Sequence, residues 1–387
     1  MERYRFFATT IRGLEDVCAR EVKSILGLPK LPELGWGRIF FEGPLEAVYE
    51  LNLWARTMHK LFLLLYRGRF ESLEDIYRAA RGLDYTNIIR PEQSFAIRAE
   101  RVGKHDFTSI DVASTVGQAV IDSYMASKGV RLKVNLDKPD VEIYAFVRDD
   151  EFLLGLNTTG PSLHKRGYRV FKHPAALRTS VAAAMLYLSG WNGRGVLLDP
   201  MCGGGTIPVE GALMTRRIPP GSFRGLEFAF LKLALFDPGD FSARREEALA
   251  RSNRDVFHVI GMDKFTAYIE GAIRNARSAG VDDTIRFLVG DATRLTDYLA
   301  EEPTHVVVNP PYGVRMKLRG LRKLYRAFLA SLSEATGSCR LVVITSARGT
   351  FRRAAEAVGV DVLEEKKIMH GELVASIFLC QVGEGQG

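Results

Sequence analysis

Val196-Leu197-Leu198-Asp199-Pro200-Met201-Cys202-Gly203-Gly204-Gly205-Thr206, continuing into Ile207-Pro208-Val209-Glu210-Gly211-Ala212-Leu213-Met214, reads as strand, glycine-rich turn and helix. A short apolar run is followed by three glycines, then by apolar residues at helical spacing with a proline in the first turn. The glycines let the backbone approach a ligand closely, and the helix N-terminus favours an anionic group there. No Gly-Lys-Ser/Thr closes the turn, so it is not a phosphate-cradling P-loop, and the third glycine of a G-x-G-x-x-G fingerprint is missing. The distinguishing feature is Asp199, a strand-end carboxylate able to accept from an ammonium group.

Three further strand ends extend the pattern. Val306-Val307-Val308 is a β-branched run typical of a strand buried on both faces, as in a parallel sheet. It launches Asn309-Pro310-Pro311-Tyr312-Gly313, where two prolines end the ladder because neither has an N–H to donate. The loop offers an amide, a carbonyl and an aromatic ring but no strong base. That kit suits holding a flat molecule by an –NH2 group, with Asn309 Oδ1 and the Pro310 carbonyl as acceptors and Tyr312 stacking. Val256 to Asp263 is an apolar strand whose terminal carboxylate can take both hydroxyls of a ribose. Thr284 to Ala292 ends in Asp291, placed to accept from an adenine N6 amine. One terminal Asp is usually a helix cap. Three on consecutive strands beside one glycine turn point to a ligand site at the carboxyl edge of a doubly wound α/β sheet.

Asp199 to Thr206, Asp263, Asp291 and Asn309 to Gly313 resemble the four motifs of class I S-adenosylmethionine-dependent methyltransferases. Asp-Pro-Met-Cys-Gly-x-Gly-Thr followed by Asn-Pro-Pro-Tyr-Gly is similar to the THUMP-containing guanine-N2 RNA methyltransferases, most of all those acting on the tRNA acceptor stem. The resemblance implies S-adenosylmethionine held by Asp199, Met201, Cys202, Gly203, Gly205, Thr206, Asp263, Lys264, Asp291, Ala292 and Asn309. It implies catalytic roles for Asn309, Pro310 and Tyr312, and a segment, Arg166-Gly167-Tyr168-Arg169 with His173 to Arg178, that closes over the cofactor. The implied reaction is methylation of the N2 amine of a guanosine in tRNA, at position 6 of the acceptor stem. Alternatives are a ribosomal RNA guanine, an adenine N6 or a glutamine amide as acceptor, or an RNA-binding protein on a retired methyltransferase fold. The 64 residues separating Asp199 from Asp263 include Ile218-Pro219-Pro220-Gly221 and Phe228, Phe230 and Phe236; this insert recurs in tRNA and ribosomal RNA members alike.

The remainder of the chain agrees. A length of 387 residues with 47% apolar content suits two or three domains with sizeable cores. A net charge of +7 suits a polyanionic partner. Cys18, Cys202, Cys339 and Cys380 are scattered, so neither a zinc site nor a disulfide framework is expected, and no metal. No run approaches a membrane span and Met-Glu-Arg-Tyr-Arg lacks a signal's apolar region, so a cytoplasmic protein, expected monomeric, is implied.

Residues 1–65 alternate strand and helix: strands Tyr4–Thr10, Gly37–Phe41 and Leu61–Tyr66, helices Leu14–Ile25 and Leu45–Leu53. Residues 66–160 add the strand Phe95–Ala99, the helix Ile110–Met125 and the pair Val141–Val147 and Phe152–Leu156. By resemblance these are an α+β ferredoxin-like domain and a THUMP domain that bind tRNA. Residues 161–176 form a basic linker whose Lys165, Arg166, Arg169 and Lys172 are candidate phosphate contacts, with Arg315, Lys317 and Arg319 beyond the Asn309 loop. The methyltransferase domain, 177–387, opens on a helix over Leu177–Leu188. In it Val362–Ile368 and Val374–Val382 lie too close for a crossover helix and must pair antiparallel, so the parallel sheet ends in one reversed hairpin strand. A fragment beginning near Pro161 retains every cofactor motif and is expected to bind S-adenosylmethionine alone.

Overall fold

The computed structural model describes residues 3–311, 318–371 and 373–383. Its N-terminal half contains β1 (Tyr4–Thr9), α1 (Glu15–Leu26), β2 (Glu33–Gly35), β3 (Arg38–Gly43), α2 (Ala47–Trp54), β4 (Lys60–Arg69), α3 (Leu73–Arg81), β5 (Ser94–Val102), α4 (Ser109–Lys128), β6 (Lys133–Val134), β7 (Val141–Arg148) and β8 (Glu151–Asn157). All eight strands belong to one sheet, in the order β2-β3-β1-β4-β8-β7-β5-β6. Alternation along β1 explains its two faces: Phe6 and Ala8 enter the main core, while Phe7 joins Phe40, Phe62 and Phe146 on the other side. α1 has Glu15 and Asp16 in its first turn and ends at Gly27, whose φ of +61° is left-handed.

The division expected at residue 65 falls inside β4. That strand pairs with β1 on one edge and β8 on the other, with a register shift between Leu64 and Tyr66. The two N-terminal units therefore share a backbone ladder. The sequence reading lacked α3 because only Ile76 and Ala80 of that helix are buried; its signal is the capping box of Ser72 and Asp75.

The C-terminal half holds α5 (Thr179–Ser189), β9 (Val196–Asp199), α6 (Thr206–Thr215), α7 (Pro238–Ala250), β10 (His258–Asp263), α8 (Thr266–Ala279), β11 (Ile285–Val289), β12 (His305–Val308), α9 (Leu318–Ala335), β13 (Ser338–Thr345), α10 (Arg348–Glu356), β14 (Asp361–His370) and β15 (Leu373–Gly383). The sheet order is β11-β10-β9-β12-β13-β15-β14. Its first five strands are mutually parallel, and β15 runs antiparallel to both β13 and β14. This is the reversed hairpin strand the sequence required. α5, α6 and α8 cover one face of the sheet; α9 and α10 cover the other. Chain order reverses between β9 and β12, which puts the topological switch point beside Asp199.

The insert between β9 and β10 does not stay with its own sheet. Phe228, Phe230, Leu233, Phe236 and Phe241 are buried in the core of the N-terminal half. Tyr49 of α2 meets the rings of Phe230 and Phe236 edge-on at 5.4 and 5.6 Å. The Phe230 N–H donates to the Thr158 carbonyl at 2.9 Å, and Gln93 Nε2 to the Lys232 carbonyl at 2.7 Å. A polar joint accompanies this clasp. Glu21 on α1 accepts from the N–H groups of Arg56 and Thr57 at 2.8 and 2.9 Å and from Tyr187 of α5 at 3.1 Å.

These contacts revise the expectation for a fragment starting near Pro161. Burying a large apolar side chain is worth about 1.5–3 kcal/mol. Exposing five at once removes on the order of 10 kcal/mol, comparable to a whole domain's stability. The isolated C-terminal half is therefore not expected to fold well enough to bind a cofactor. Among the described residues no helix is long and apolar enough to cross a membrane.

Candidate active site

β9 delivers Asp199 to the carboxyl edge of the sheet almost completely buried, its Oδ1 accepting from the Met201 N–H at 3.2 Å. Burial, with the nearby Asp263 charge, lifts the Asp199 carboxyl well above the usual range. The glycine turn follows. Gly203 and Gly205 have φ of +52° and +76°, and a Cβ on Gly205 would stand 2.9 Å from Ala272 Cβ. Only glycine brings the turn this near α8. Gly205 also caps α6, whose first residue is the buried Thr206. Cys202 is buried, which pushes its thiol pKa up and leaves it a small packing group.

The neighbouring strand end ties the turn down. Asp263 Oδ2 accepts from the Gly203 N–H at 3.0 Å, and Oδ1 from the Phe265 N–H at 3.0 Å. Each oxygen keeps acceptor capacity for a hydroxyl. Asp291 is exposed, and its Oδ1 accepts from the N–H and hydroxyl of Thr293 at 2.9 and 2.8 Å. The Thr293 backbone bond, with help from the Lys264 charge, holds the Asp291 carboxyl below its ordinary range. Ala292 is buried beside it.

At the end of β12, Asn309 is half-buried and Pro310 buried. Asn309 Oδ1 is shielded from solvent and accepts no hydrogen bond from any described residue. An orphaned buried acceptor costs about 1–3 kcal/mol, so this one awaits a donor. Tyr312, Arg315 and Lys317 lie outside the described residues.

The linker corrects one reading. Arg166 is buried and unavailable to a phosphate: its Nε pairs with Glu210 Oε1 at 3.3 Å and its Nη2 donates to the Arg56 carbonyl at 3.0 Å. Tyr168 donates to the same Glu210 oxygen at 2.9 Å. Arg169 is half-buried and donates to the Leu177 carbonyl at 3.3 Å, while Lys165 and Lys172 are exposed. Of the four linker cations, only two stand clear of the protein.

Downstream, the linker becomes a strap over the glycine turn. Asn275 on α8 accepts from the Phe171 N–H at 2.7 Å and donates to the carbonyls of Phe171 and Gly204 at 3.2 and 2.9 Å. A Cβ on Gly271, one turn earlier, would meet Phe171 at 2.3 Å. The His173 ring lies 3.4 Å from where a Gly203 Cβ would be, and packs edge-on against Tyr268 at 4.3 Å. Tyr268, Gly271 and Asn275 share one stripe of α8, and sequence reasoning missed all three. Phe265 was missed too, although it follows Asp263 closely and leaves 52% of its surface exposed. It offers a flat apolar surface beside the ribose-type acceptor.

A doubly wound sheet with a glycine turn, strand-end acids and Asn-Pro-Pro at its carboxyl edge defines a class I methyltransferase. The model described as "RMKL-like, methyltransferase domain" matches residues 166–376, the THUMP domain model 70–157 and the RlmL ferredoxin-like domain model 5–62. The chain belongs to the RMKL-like methyltransferase family, with a THUMP domain ahead of the catalytic one. A tRNA (guanine(6)-N2)-methyltransferase of Methanocaldococcus jannaschii is 43% identical, across 96% of this chain and 98% of that protein. One of Archaeoglobus fulgidus is 42% identical, across 98% and 92% respectively. A crystal structure of a possible methylase from Clostridium difficile superposes with a TM-score of 0.87 at 26% identity, covering 100% of this chain and 99% of the other.

The residues present fit S-adenosylmethionine. The glycine turn leaves space that side chains would fill, Asp199 can accept from an ammonium, Asp263 from hydroxyls and Asp291 from an exocyclic amine. The Asp263-Phe265 and Asp291-Ala292 corners combine polar acceptors with apolar surface, as a nucleoside requires.

Proposed function

We propose that the chain transfers a methyl group from S-adenosylmethionine to the exocyclic N2 of a guanosine in tRNA, at position 6 of the acceptor stem. The observation that carries the reading is Asn309 Oδ1, a buried acceptor with no donor among the described residues, at the switch point of a methyltransferase sheet. The names of the two archaeal relatives support the substrate and the position.

Bound S-adenosylmethionine supplies an electrophilic methyl group. Asp199, Met201, Cys202, Gly203, Gly205 and Thr206 form the wall for its amino-acid end, Asp263 and Lys264 serve the ribose, and Asp291 and Ala292 serve the base. The guanine N2 is a weak nucleophile, because its lone pair is delocalised into the ring. Asn309 Oδ1 and the Pro310 carbonyl accept from its hydrogens, favour the rehybridised nitrogen and stabilise the positive charge that develops there. No strong base is needed, because a methylated ammonium loses its proton readily to water. The target guanine must leave its stack at a cost of a few kcal/mol. Tyr312, in its proposed stacking role, returns about 1–3 kcal/mol of that. Residues 1–65 and 66–160 bind the tRNA, 161–176 link them to the catalytic domain 177–387, and the protein acts as a cytoplasmic monomer.

The test is tritium transfer to unmodified tRNA and to ribosomal RNA, followed by nucleoside analysis and mapping of the modified position. N2-methylguanosine at position 6 of tRNA is the expected product. Label confined to ribosomal RNA, or a different methylated nucleoside, would overturn the reading.

A further inference from the structure

α9 carries Arg319, Arg322, Lys323 and Arg326 at spacings of three, one and three residues, all exposed. On a helix this spacing places them along one face. The opposite side, Leu321, Tyr325, Phe328, Leu329 and Leu332, is buried in the core under the sheet. No acidic residue occupies the first turn of α9. Farther along the cationic face stand Ala330 and Ser333, which carry no charge. The positive charge is thus confined to the half of the helix that follows the Asn309 loop.

Several exposed cations on other helices find an acid, either one turn away or on a neighbouring element. Arg20 pairs with Asp16 on α1, Arg78 with Glu74 on α3 and Arg251, just past α7, with Glu247 of that helix, each one turn apart. On α9 none of the four cations forms an ion pair or side-chain hydrogen bond among the described residues. Two local effects oppose this arrangement. Like charges three and four residues apart repel, and cations near a helix N-terminus oppose its dipole. No acid of the described chain pairs with any of the four, so the face is left free to meet an anionic partner in place of solvent and counterions.

We propose that this face of α9 is a rail for the phosphate backbone of the RNA stem whose guanosine enters the site. The inference rests on the tRNA reading above. Arg319 to Arg326 spans about 10 Å at 1.5 Å per residue. At the ~3.4 Å per strand of a DNA duplex, that length faces about three phosphates of one strand. Only nine residues separate the end of β12 from the start of α9, so the rail lies next in the chain to the Asn309 loop. Its cations hold the stem without reading its sequence.

The experiment compares wild type with Arg322→Gln/Lys323→Gln and with the variant in which all four cations are glutamine. A control, Arg251→Gln/Arg277→Gln, removes two cations that are already paired with acids. Glutamine suits an exposed helix, so melting temperature should stay level or rise as repulsion is relieved. Binding of unmodified tRNA is titrated at several salt concentrations, with methyl transfer and S-adenosylmethionine binding measured alongside. The double variant should flatten the salt dependence by about two phosphates and the quadruple variant by about three to four. The quadruple variant should also raise KM for tRNA ~10-fold or more. Its kcat at saturating tRNA and its cofactor affinity should stay near wild type, and the control should lose less than half of the double variant's slope.

A quadruple variant with wild-type slope and KM, or a control matching the double variant, would overturn the rail while leaving tRNA methylation standing. Wild-type protein that neither binds nor methylates tRNA would overturn both.

Discussion

Asn309 Oδ1 has no donor among the described residues and Asp199 is a buried carboxyl, and each makes a separable prediction. Asn309→Ala removes one preorganised acceptor for developing charge, so turnover should fall ~100–1000-fold. Affinity for tRNA should barely move, because one amide is a small part of a contact made mainly through phosphates. A variant that retains most of its turnover would remove Asn309 from the chemistry. Asp199 is buried and its carboxyl is raised, first by burial and then by Asp263. The unfolded carboxyl ionises near its ordinary ~3.9, whereas the folded one resists ionisation, so stability declines as pH rises above that value towards the folded pKa. Asp199→Asn keeps an acceptor for the Met201 N–H and removes the charge. It should therefore melt higher than wild type at neutral pH, match it near pH 3, and bind S-adenosylmethionine more weakly. Equal cofactor affinity would show that Asp199 serves the fold alone. The acids at 199, 263 and 291 were readable from sequence because each ends an apolar run. Arg166 was misread because nothing in a linker's composition reveals that Glu210, 44 positions away, accepts its charge in the interior.

Elements were legible where local chemistry leaves one choice. The hairpin of β14 and β15 follows from a connection too short for a crossover, and α1 from its stripe and Gly27. A segment closing over the cofactor around His173 was implied by resemblance, but its anchorage on α8 was not legible, because Phe171, Gly271 and Asn275 meet only in three dimensions. Gly271, a helix breaker in the middle of a helix, was its one sequence signal. That glycine makes a clean test. Ala in a helix interior is favoured over Gly by about 1 kcal/mol, yet a Cβ here would press on the Phe171 ring at 2.3 Å. Gly271→Ala should therefore leave overall stability close to wild type and displace the strap, including His173 over the glycine turn. The expected result is a KM for S-adenosylmethionine raised several-fold, with tRNA binding unchanged. Should cofactor KM stay at the wild-type value while the melting temperature drops, the strap is only packing.

At the scale of the molecule the deciding contact is the clasp of Phe228 to Phe241 on the N-terminal core. The sequence displayed those aromatic residues but not their destination, because an insert between two strands of one sheet is ordinarily expected to pack on that sheet. With the clasp, Glu21 and the shared joint around Arg56 and Glu210, the two halves are bound by apolar burial and by buried charge at once. Folding of one half should then depend on the other. Phe230 is completely buried between Tyr49, Phe236 and Phe241, and its loss should cost about 3–5 kcal/mol. If the halves are coupled, wild type melts in one calorimetric transition, and Phe230→Ala moves that whole transition down without splitting it. Near-ultraviolet dichroism and cofactor binding should then be lost together. Two separate transitions, of which the variant shifts only one, would show that the halves fold independently, and the fragment beginning near Pro161 would again be expected to bind S-adenosylmethionine. Coupling has a functional consequence: the distance from the N-terminal half, proposed to bind tRNA, to Asn309 is then fixed by packing rather than by a flexible tether. Under this account a fixed distance selects one nucleotide of a stem, so loosening the clasp at a temperature where Phe230→Ala remains folded should scatter methylation to neighbouring guanosines before it abolishes activity.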